Sequence, residues 1–404
     1  VLTRQGWGLL GAAIAMIAAG RLLGVLELFV LGTAAALLVV VVTVRAALTR
    51  LDLAVRRDVH PPRVHAGSPS RIELEVLNRG SRTTPVLRIT DAVSGTRGAD
   101  LGLAPIDPGA RARAAYRLPT DRRGIITIGP LEVVLADPFG LTSTRIRGAE
   151  RTELTVYPRI DHVVGLPDTA GHDPEATNES PTSLGRAGEE FFALRPYQIG
   201  DELRRVHWPS TARFDELLVR QTELPWQGRV TVLLDLRAEA QTEASLDVCV
   251  SAVASIITAA RRDGDLFRLV CTDGTDSGFV PGNAAYSAVL EYLATVPVSR
   301  SSQMGRILDS VARTSTGGAL VVVSGRLPSH DRSRVETLRP RFATLTTVLV
   351  DQSAWDPHAT AAPPDAVPHT VLVTRDQPFA AAWNRAMATG RRRGAAGRST
   401  GVLA

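Results

Sequence analysis

The sequence predicts a membrane protein in three parts: an N-terminal two-helix transmembrane hairpin, a β-sandwich-like domain and a doubly wound α/β domain. Three observations carry this reading. Residues 7–44 are almost wholly apolar, residues 53–160 alternate with period two, and strand-like and helix-like runs alternate from residue 229 onward. The chain has 404 residues, room for two or three units. Its 44% hydrophobic content excludes disorder throughout, and two cysteines exclude a disulfide scaffold.

In the first part, only Arg21 and Glu27 interrupt the apolar run from Trp7 to Val44. As one helix that run would measure about 57 Å, nearly twice a hydrocarbon core of about 30 Å. A hairpin is therefore expected within residues 1–50, with spans over Gln5–Gly20 and Leu28–Val44 and a turn at Arg21 and Glu27. A cleaved signal peptide, suggested by Ala13-Ile14-Ala15, and a single tilted span are the rival readings. Arg4 precedes the first span, and Arg45, Arg50, Arg56 and Arg57 follow the second. The positive-inside rule then puts both ends in the cytoplasm, a two-pass cell-membrane protein with cytoplasmic soluble domains. Cys249 and Cys271, one in a helical pattern and one in a strand, suit a reducing compartment as small core residues.

Residues 51–165 read as the β-rich domain. Arg71-Ile72-Glu73-Leu74-Glu75-Val76 alternates cleanly and ends at the turn Asn78-Arg79-Gly80. Further runs at Pro85–Ile89, Ala112–Leu118, Ile125–Ile128, Leu131–Leu135 and Glu153–Tyr157 bring the expected strands to about six. The turns between them include Asp107-Pro108-Gly109 and Asp137-Pro138-Phe139-Gly140. His60 and His65 flank a Pro-Pro pair and read as solvated surface, so the domain is expected to be a scaffold or docking module. Residues 166–187, polar and rich in Gly, Pro, Ser and Thr, read as a linker.

The third part, residues 188–389, opens with a dense motif: Gly188, Arg195, Tyr197, Gly200, Asp201, Arg204, His207, Trp208, Arg213 and Arg220. A catalytic reading makes His207 a base oriented by Asp201. Ser210 and Thr211 have no nucleophile-elbow context, so a structural role is preferred, with partner binding second. Arginines paired with Asp201, Glu202 or Glu216, and Trp208 as a packed plug, would lock the segment onto a sheet. On that reading Trp208→Ala or Arg213→Ala destabilises the fold, by on the order of 3 kcal/mol for a lost buried aromatic.

Strands are expected at Val230–Leu234, Leu266–Cys271, Ala319–Val323, Leu345–Val350 and Thr370–Thr374. Helices are expected at Ala244–Arg262, Ala284–Ala294, Gly305–Arg313, Asp331–Arg339 and Pro378–Ala388. Ligands of such sheets sit beyond the strand carboxyl ends, which directs attention to Asp235. Residues 390–404, with Arg391-Arg392-Arg393 and Arg398, read as a flexible basic tail able to meet anionic lipid.

Composition narrows the chemistry. All 46 basic residues are arginine. Without a lysine the chain can hold no P-loop, no kinase strand lysine and no pyridoxal Schiff base. A net charge of +5 with 5% aromatics argues against nucleic acid. No G-x-S-x-G, H-E-x-x-H or C-x-x-C occurs, and neither a cofactor nor a small-molecule substrate is indicated.

The stretch from Gly188 to Arg220, followed by a strand ending at Asp235, resembles the domain-of-unknown-function family 58. Arg123-Gly124 and Asp137-Pro138-Phe139-Gly140-Leu141 extend the likeness to about nine-tenths of the chain. The resemblance implies a von Willebrand factor A-like fold for the α/β domain and association with a MoxR-type AAA+ ATPase. Such folds often hold Mg²⁺ at D-x-S-x-S. Here the residues are Asp235-Leu236-Arg237-Ala238-Glu239, and the later strand ends Val323-Ser324-Gly325-Arg326 without an aspartate. One carboxylate beside an arginine is a poor Mg²⁺ site. Asp235 is thus a degenerate metal position, and an ion pair with Arg237 or Arg326 is expected in place of the ion. The expected function is a membrane-anchored adaptor with no catalytic residues and no metal. A metal-dependent receptor and a membrane-bound hydrolase are the alternatives.

Overall fold

The computed structural model describes residues 2–48, 51–137, 139–167, 169, 190–197, 206–214, 216–223, 228–279, 283–300, 303–314, 317–356, 359 and 369–399. At 136, 190–196, 209, 214, 220–223 and 390–399 it describes the backbone alone. The chain divides into two compact units, Val1–Pro158 and Arg159–Ala404.

The first unit opens with helices α1 (Arg4–Leu23) and α2 (Leu26–Leu48), each long and apolar enough to cross a membrane. Both outrun the expected spans by a few residues; Thr3 caps α1 and Gly24, at φ 70°, closes it. The buried residues of α1 are Gly6, Ala13 and Gly20, seven apart, and those of α2 are Gly32, Val39 and Val42. Of these, Gly20 faces Phe29 and Gly32 faces Ala13 and Ile17, so glycines line the close approach of the two helices. A Cβ on Gly20 would lie 2.6 Å from the Phe29 amide, and one on Gly32 would lie 2.9 Å from the Ala13 carbonyl oxygen. Only glycine permits this approach.

Nine strands follow, three more than expected: β1 (Leu53–His60), β2 (Arg63–His65), β3 (Arg71–Asn78), β4 (Leu87–Val93), β5 (Ala99–Leu103), β6 (Arg111–Arg117), β7 (Gly124–Ala136), β8 (Ser143–Ala149) and β9 (Thr152–Tyr157). Two of the runs read separately, at Ile125 and at Leu131, are one strand, β7. One sheet has the order β1-β3-β6 and the other β2-β9-β7-β4-β5, with β8 added to β7. Alternate residues meet between the sheets: Ile72, Leu74 and Val76 from β3, and Leu87, Ile89 and Val93 from β4. Asp91 lies in the same inward series and is buried. Its charge is met by Arg57 of β1, whose Nη1 lies 2.8 Å away, and by the Tyr116 hydroxyl of β6 at 2.7 Å. Burial, and then the bond to Asp91, raise the Tyr116 phenol well above its usual pKa, so it remains a donor.

The second unit begins earlier than the expected boundary at 165. Residues 159–165 already lie on it: the Asp161 amide donates to Ser255 Oγ at 2.9 Å, and Trp383 Nε1 donates to the Val164 carbonyl at 2.8 Å. Most of the linker read at 166–187 lies outside the described residues. The motif region supplies β10 (Glu190–Pro196), α3 (Trp208–Phe214) and β11 (Leu218–Glu223), with β10 and β11 antiparallel.

A five-stranded parallel sheet follows, from β12 (Arg229–Leu234), β13 (Leu266–Cys271), β14 (Ala319–Ser324), β15 (Thr344–Val350) and β16 (Thr370–Val373). Its order is β13-β12-β14-β15-β16, that is 2-1-3-4-5. The helices are α4 (Glu243–Asp263), α5 (Asn283–Thr295), α6 (Met304–Thr314), α7 (Ser329–Glu336) and α8 (Phe379–Ser399). Leu233, Val270, Leu320, Val322 and Leu345 of the sheet cluster with Met304, Leu308 and Val311 of α6 and Val335 of α7. Helix α4 also has the length and hydropathy of a membrane span, but 67% of that window is buried in this unit. At the C-terminal end, α8 continues as helix to Ser399, past residue 390 where the basic tail was expected to begin.

Candidate functional site

The strand order reverses at β12, with β13 on one side and β14 on the other. The carboxyl ends of two strands that diverge in this way leave a crevice, the usual ligand position of open α/β sheets. Asp235 follows β12 directly and Ser324 ends β14, so both stand there. Both are fully buried.

Arg237 is bound to Asp235 at this point. Its Nε donates to Asp235 Oδ1 at 2.9 Å and its Nη2 to Asp235 Oδ2 at 2.9 Å, a two-pronged pairing that matches the planes of both groups. The same Nη2 lies 2.8 Å from Asp331 Oδ2 in the first turn of α7. Nη1 reaches outward to Glu239 at 2.8 Å. The Arg237 side chain is 7% exposed and that of Glu239 70%, so the network runs from the interior to the surface.

The remaining capacity of Asp235 is also met. Ser324 Oγ donates to Oδ2 at 2.9 Å, and Thr272 Oγ1 to Oδ1 at 3.4 Å. The backbone amide of Arg237 donates to Oδ1 at 3.1 Å. Gln241 holds the loop from behind, its amide donating to the Asp235 carbonyl at 3.0 Å. Burial works against the Arg237 charge, but the bonds and charges of Asp235 and then Asp331 outweigh it. The guanidinium pKa is raised and the group stays charged.

Of the two ion pairs expected at Asp235, the one with Arg237 forms. Arg326 is exposed, and its amide donates to Ser324 Oγ at 3.2 Å. Sequence reasoning missed Asp331, Thr272 and Gln241. Asp331 only marks the start of an expected helix in the sequence, and nothing there records its burial.

The motif residues divide differently. Gly188, Gly200, Asp201 and Arg204 lie outside the described residues. Arg195 and Arg220 are placed by backbone register, Arg195 opposite Val219 and Leu194 opposite Arg220. The Tyr197 amide donates to the Leu217 carbonyl and the His207 amide to the Leu218 carbonyl, both at 2.8 Å, tying the segment to β11. His207 Nδ1 lies 2.7 Å from Ser210 Oγ, while the His207 carbonyl accepts from the Ser210 and Thr211 amides. This is the contact set of a helix start, made by residues three apart. The reading of Trp208 as a packed plug is corrected: at the first position of α3 its side chain is 62% exposed. Arg213, Glu216 and Leu217 nearby are exposed as well.

Residues 193–356 match the family described as Protein of unknown function DUF58. The DUF58 match thus takes in the motif from Arg195 to Arg220 and all of Asp235, Arg237, Ser324 and Asp331. No curated protein matches the chain significantly. Among solved structures, the CARDB domain of PF1109 from Pyrococcus furiosus is 15% identical, with 26% of this chain and 93% of that one covered and a TM-score of 0.22. The C-terminal domain of wzt is 14% identical, with 27% and 73% covered and a TM-score of 0.20. Likenesses at these TM-scores carry no weight for fold or function.

Proposed function

We propose that this chain is a membrane-anchored interaction protein without chemistry of its own. Its α/β unit is read as a degenerate von Willebrand factor A-like domain whose crevice is closed by an internal cation. The observation that carries this is the Arg237 guanidinium held between Asp235 and Asp331. A divalent ion needs several oxygen ligands around an open position. Here the oxygens that could serve already bond a guanidinium, so this donor set does not fit a metal, and the metal-dependent receptor is the weaker reading. The hydrolase reading is weakened too, since the His207–Ser210 contact is a local helix-start contact.

The hairpin is the anchor, and the arginines around its ends favour cytoplasmic soluble units. The partner proposed is a MoxR-type AAA+ ATPase, on the resemblance of the motif alone. Exposed Trp208 and Arg213 are the surface we assign to it, since Trp and Arg dominate the energetics of protein interfaces. The test is capture of the detergent-solubilised chain from its native membrane with and without ATP, read by mass spectrometry. Recovery of an ATPase that depends on nucleotide, and is lost in Trp208→Ala, supports the proposal. A clean preparation after cross-linking overturns the partner.

A further inference from the structure

The loop between β7 and β8 has an exposed phenylalanine at its tip and is fastened to the base of the helical hairpin. Asp137 builds the turn. Its Oδ1 accepts the Phe139 amide at 2.9 Å, its Oδ2 accepts the Thr142 hydroxyl at 3.0 Å, and its carbonyl accepts the Gly140 amide at 3.0 Å. The far side of the loop caps α1. Thr3 Oγ1 donates to the Gly140 carbonyl at 2.6 Å and the Thr3 amide to the Leu141 carbonyl at 2.9 Å, and Leu2 pairs with Thr142 as a β-bridge.

Leu141 enters the hairpin itself. It is buried in a cluster with Val39 and Val42 of α2, against which Leu9, Leu10 and Leu38 pack. A Cβ on Gly6 would lie 2.3 Å from the Leu141 carbonyl oxygen, so the loop rests directly on α1 backbone. Depth follows from the helix rise. Leu9 and Leu10 lie about 8–9 Å along the axis from Arg4, and Val42 lies about 5 Å before Arg45. Leu141 therefore sits just inside the boundary between the charged helix ends and the apolar spans. Phe139, two residues away, is 61% exposed, as is Trp7 at 62% on the first turns of α1. Aromatic rings at this level are what a headgroup–acyl boundary accommodates.

We propose that Phe139, presented by the Asp137 turn and seated by Leu141 on the hairpin, inserts into the headgroup–acyl boundary of the bilayer that holds α1 and α2. The occupant is lipid because the exposed ring continues the apolar surface of two helices long enough to span. The sandwich is then fixed to the membrane by a second contact besides its tether. This rests on the reading of the hairpin as membrane-spanning.

The test separates the two. Phe139→Cys and Leu37→Cys, both at exposed positions, are labelled with an environment-sensitive nitrobenzoxadiazole dye. The native Cys249 and Cys271 are buried, and the unsubstituted chain serves as the labelling control. The full chain is reconstituted in phosphatidylcholine vesicles with lipids spin-labelled at shallow or deep positions. The expected result is a blue-shifted dye at 139 that loses most of its emission to the shallow quencher, and a dye at 37 quenched by the deep one. Quenching at 37 with water-like, unquenched emission at 139 overturns the inference and leaves the hairpin reading intact. Emission unquenched at both positions overturns both.

Discussion

Arg237 lies between two buried carboxylates that reach it from opposite directions in the chain. Asp235, two residues before it, grips the guanidinium with both oxygens, and Asp331 on a distant helix closes on the same Nη2 at 2.8 Å. A fixed positive group thus stands at the reversal point of the sheet. It welds the loop after β12 to the start of α7.

Removing Arg237 should be costly, because two buried acids would lose their shared counter-charge. Arg237→Ala is expected to destabilise the α/β unit by about 3–5 kcal/mol. Arg237→Ser should in addition acquire a response to Mg²⁺, since Asp235, Ser324, Thr272 and Asp331 would then surround an open position. Ion at tenfold its dissociation constant would raise stability by about 1.4 kcal/mol. Thermal unfolding with and without Mg²⁺ measures both effects. A parent chain that responds as strongly as Arg237→Ser would contradict the internal-cation reading.

The sandwich holds a second buried pair, and its chemistry predicts a different pattern. Arg57→Met or Asp91→Leu alone strands one charge between the sheets, for a loss of about 3–5 kcal/mol. The double variant should recover most of this, because apolar side chains suit that interior. Tyr116→Phe removes only one charge-assisted bond, about 1.5–3 kcal/mol. Melting of the four variants in detergent checks the order. Equal loss in the single and double variants would show that Arg57 and Asp91 do not act as a pair.

The thiols should be inert. Both cysteines are buried, and burial above all pushes the Cys271 thiol up to about 12. A raised thiol pKa leaves little thiolate at pH 7–8. A chromogenic thiol reagent is expected to find neither cysteine in the folded chain and both after denaturation. Reaction of one thiol under native conditions would show that its core opens.

Trp208 tests the motif. An exposed side chain away from a packed core contributes within about 0.5 kcal/mol. Trp208→Ala should therefore melt with the parent while losing partner capture. A large fall in melting temperature would restore the plug reading.

Local pattern determined most of the elements. The apolar run before Val44 announced two helices, and Leu266–Cys271 was legible to the residue because a short buried strand between helices has one register. Alternation placed Ile72, Leu74 and Val76 inward and should have flagged Asp91, which falls in the same series on its own strand. Four strands escaped notice: β1 mixes arginines and an aspartate with its apolar residues, while β2, β5 and β8 are short or polar and owe their form to neighbours. The sequence offered Arg237 or Arg326 as the partner of Asp235, and the folded loop selects Arg237. Tertiary structure alone decided the rest. Asp331 joins that pair, Arg57 finds Asp91, and Leu141 lodges between α1 and α2 because chain folding brings distant residues within hydrogen-bond or van der Waals range. No periodicity records those meetings. Exposure of Trp208 is of the same kind: side-chain chemistry favours burial, but whether a surface exists to bury it against is a property of the assembled fold.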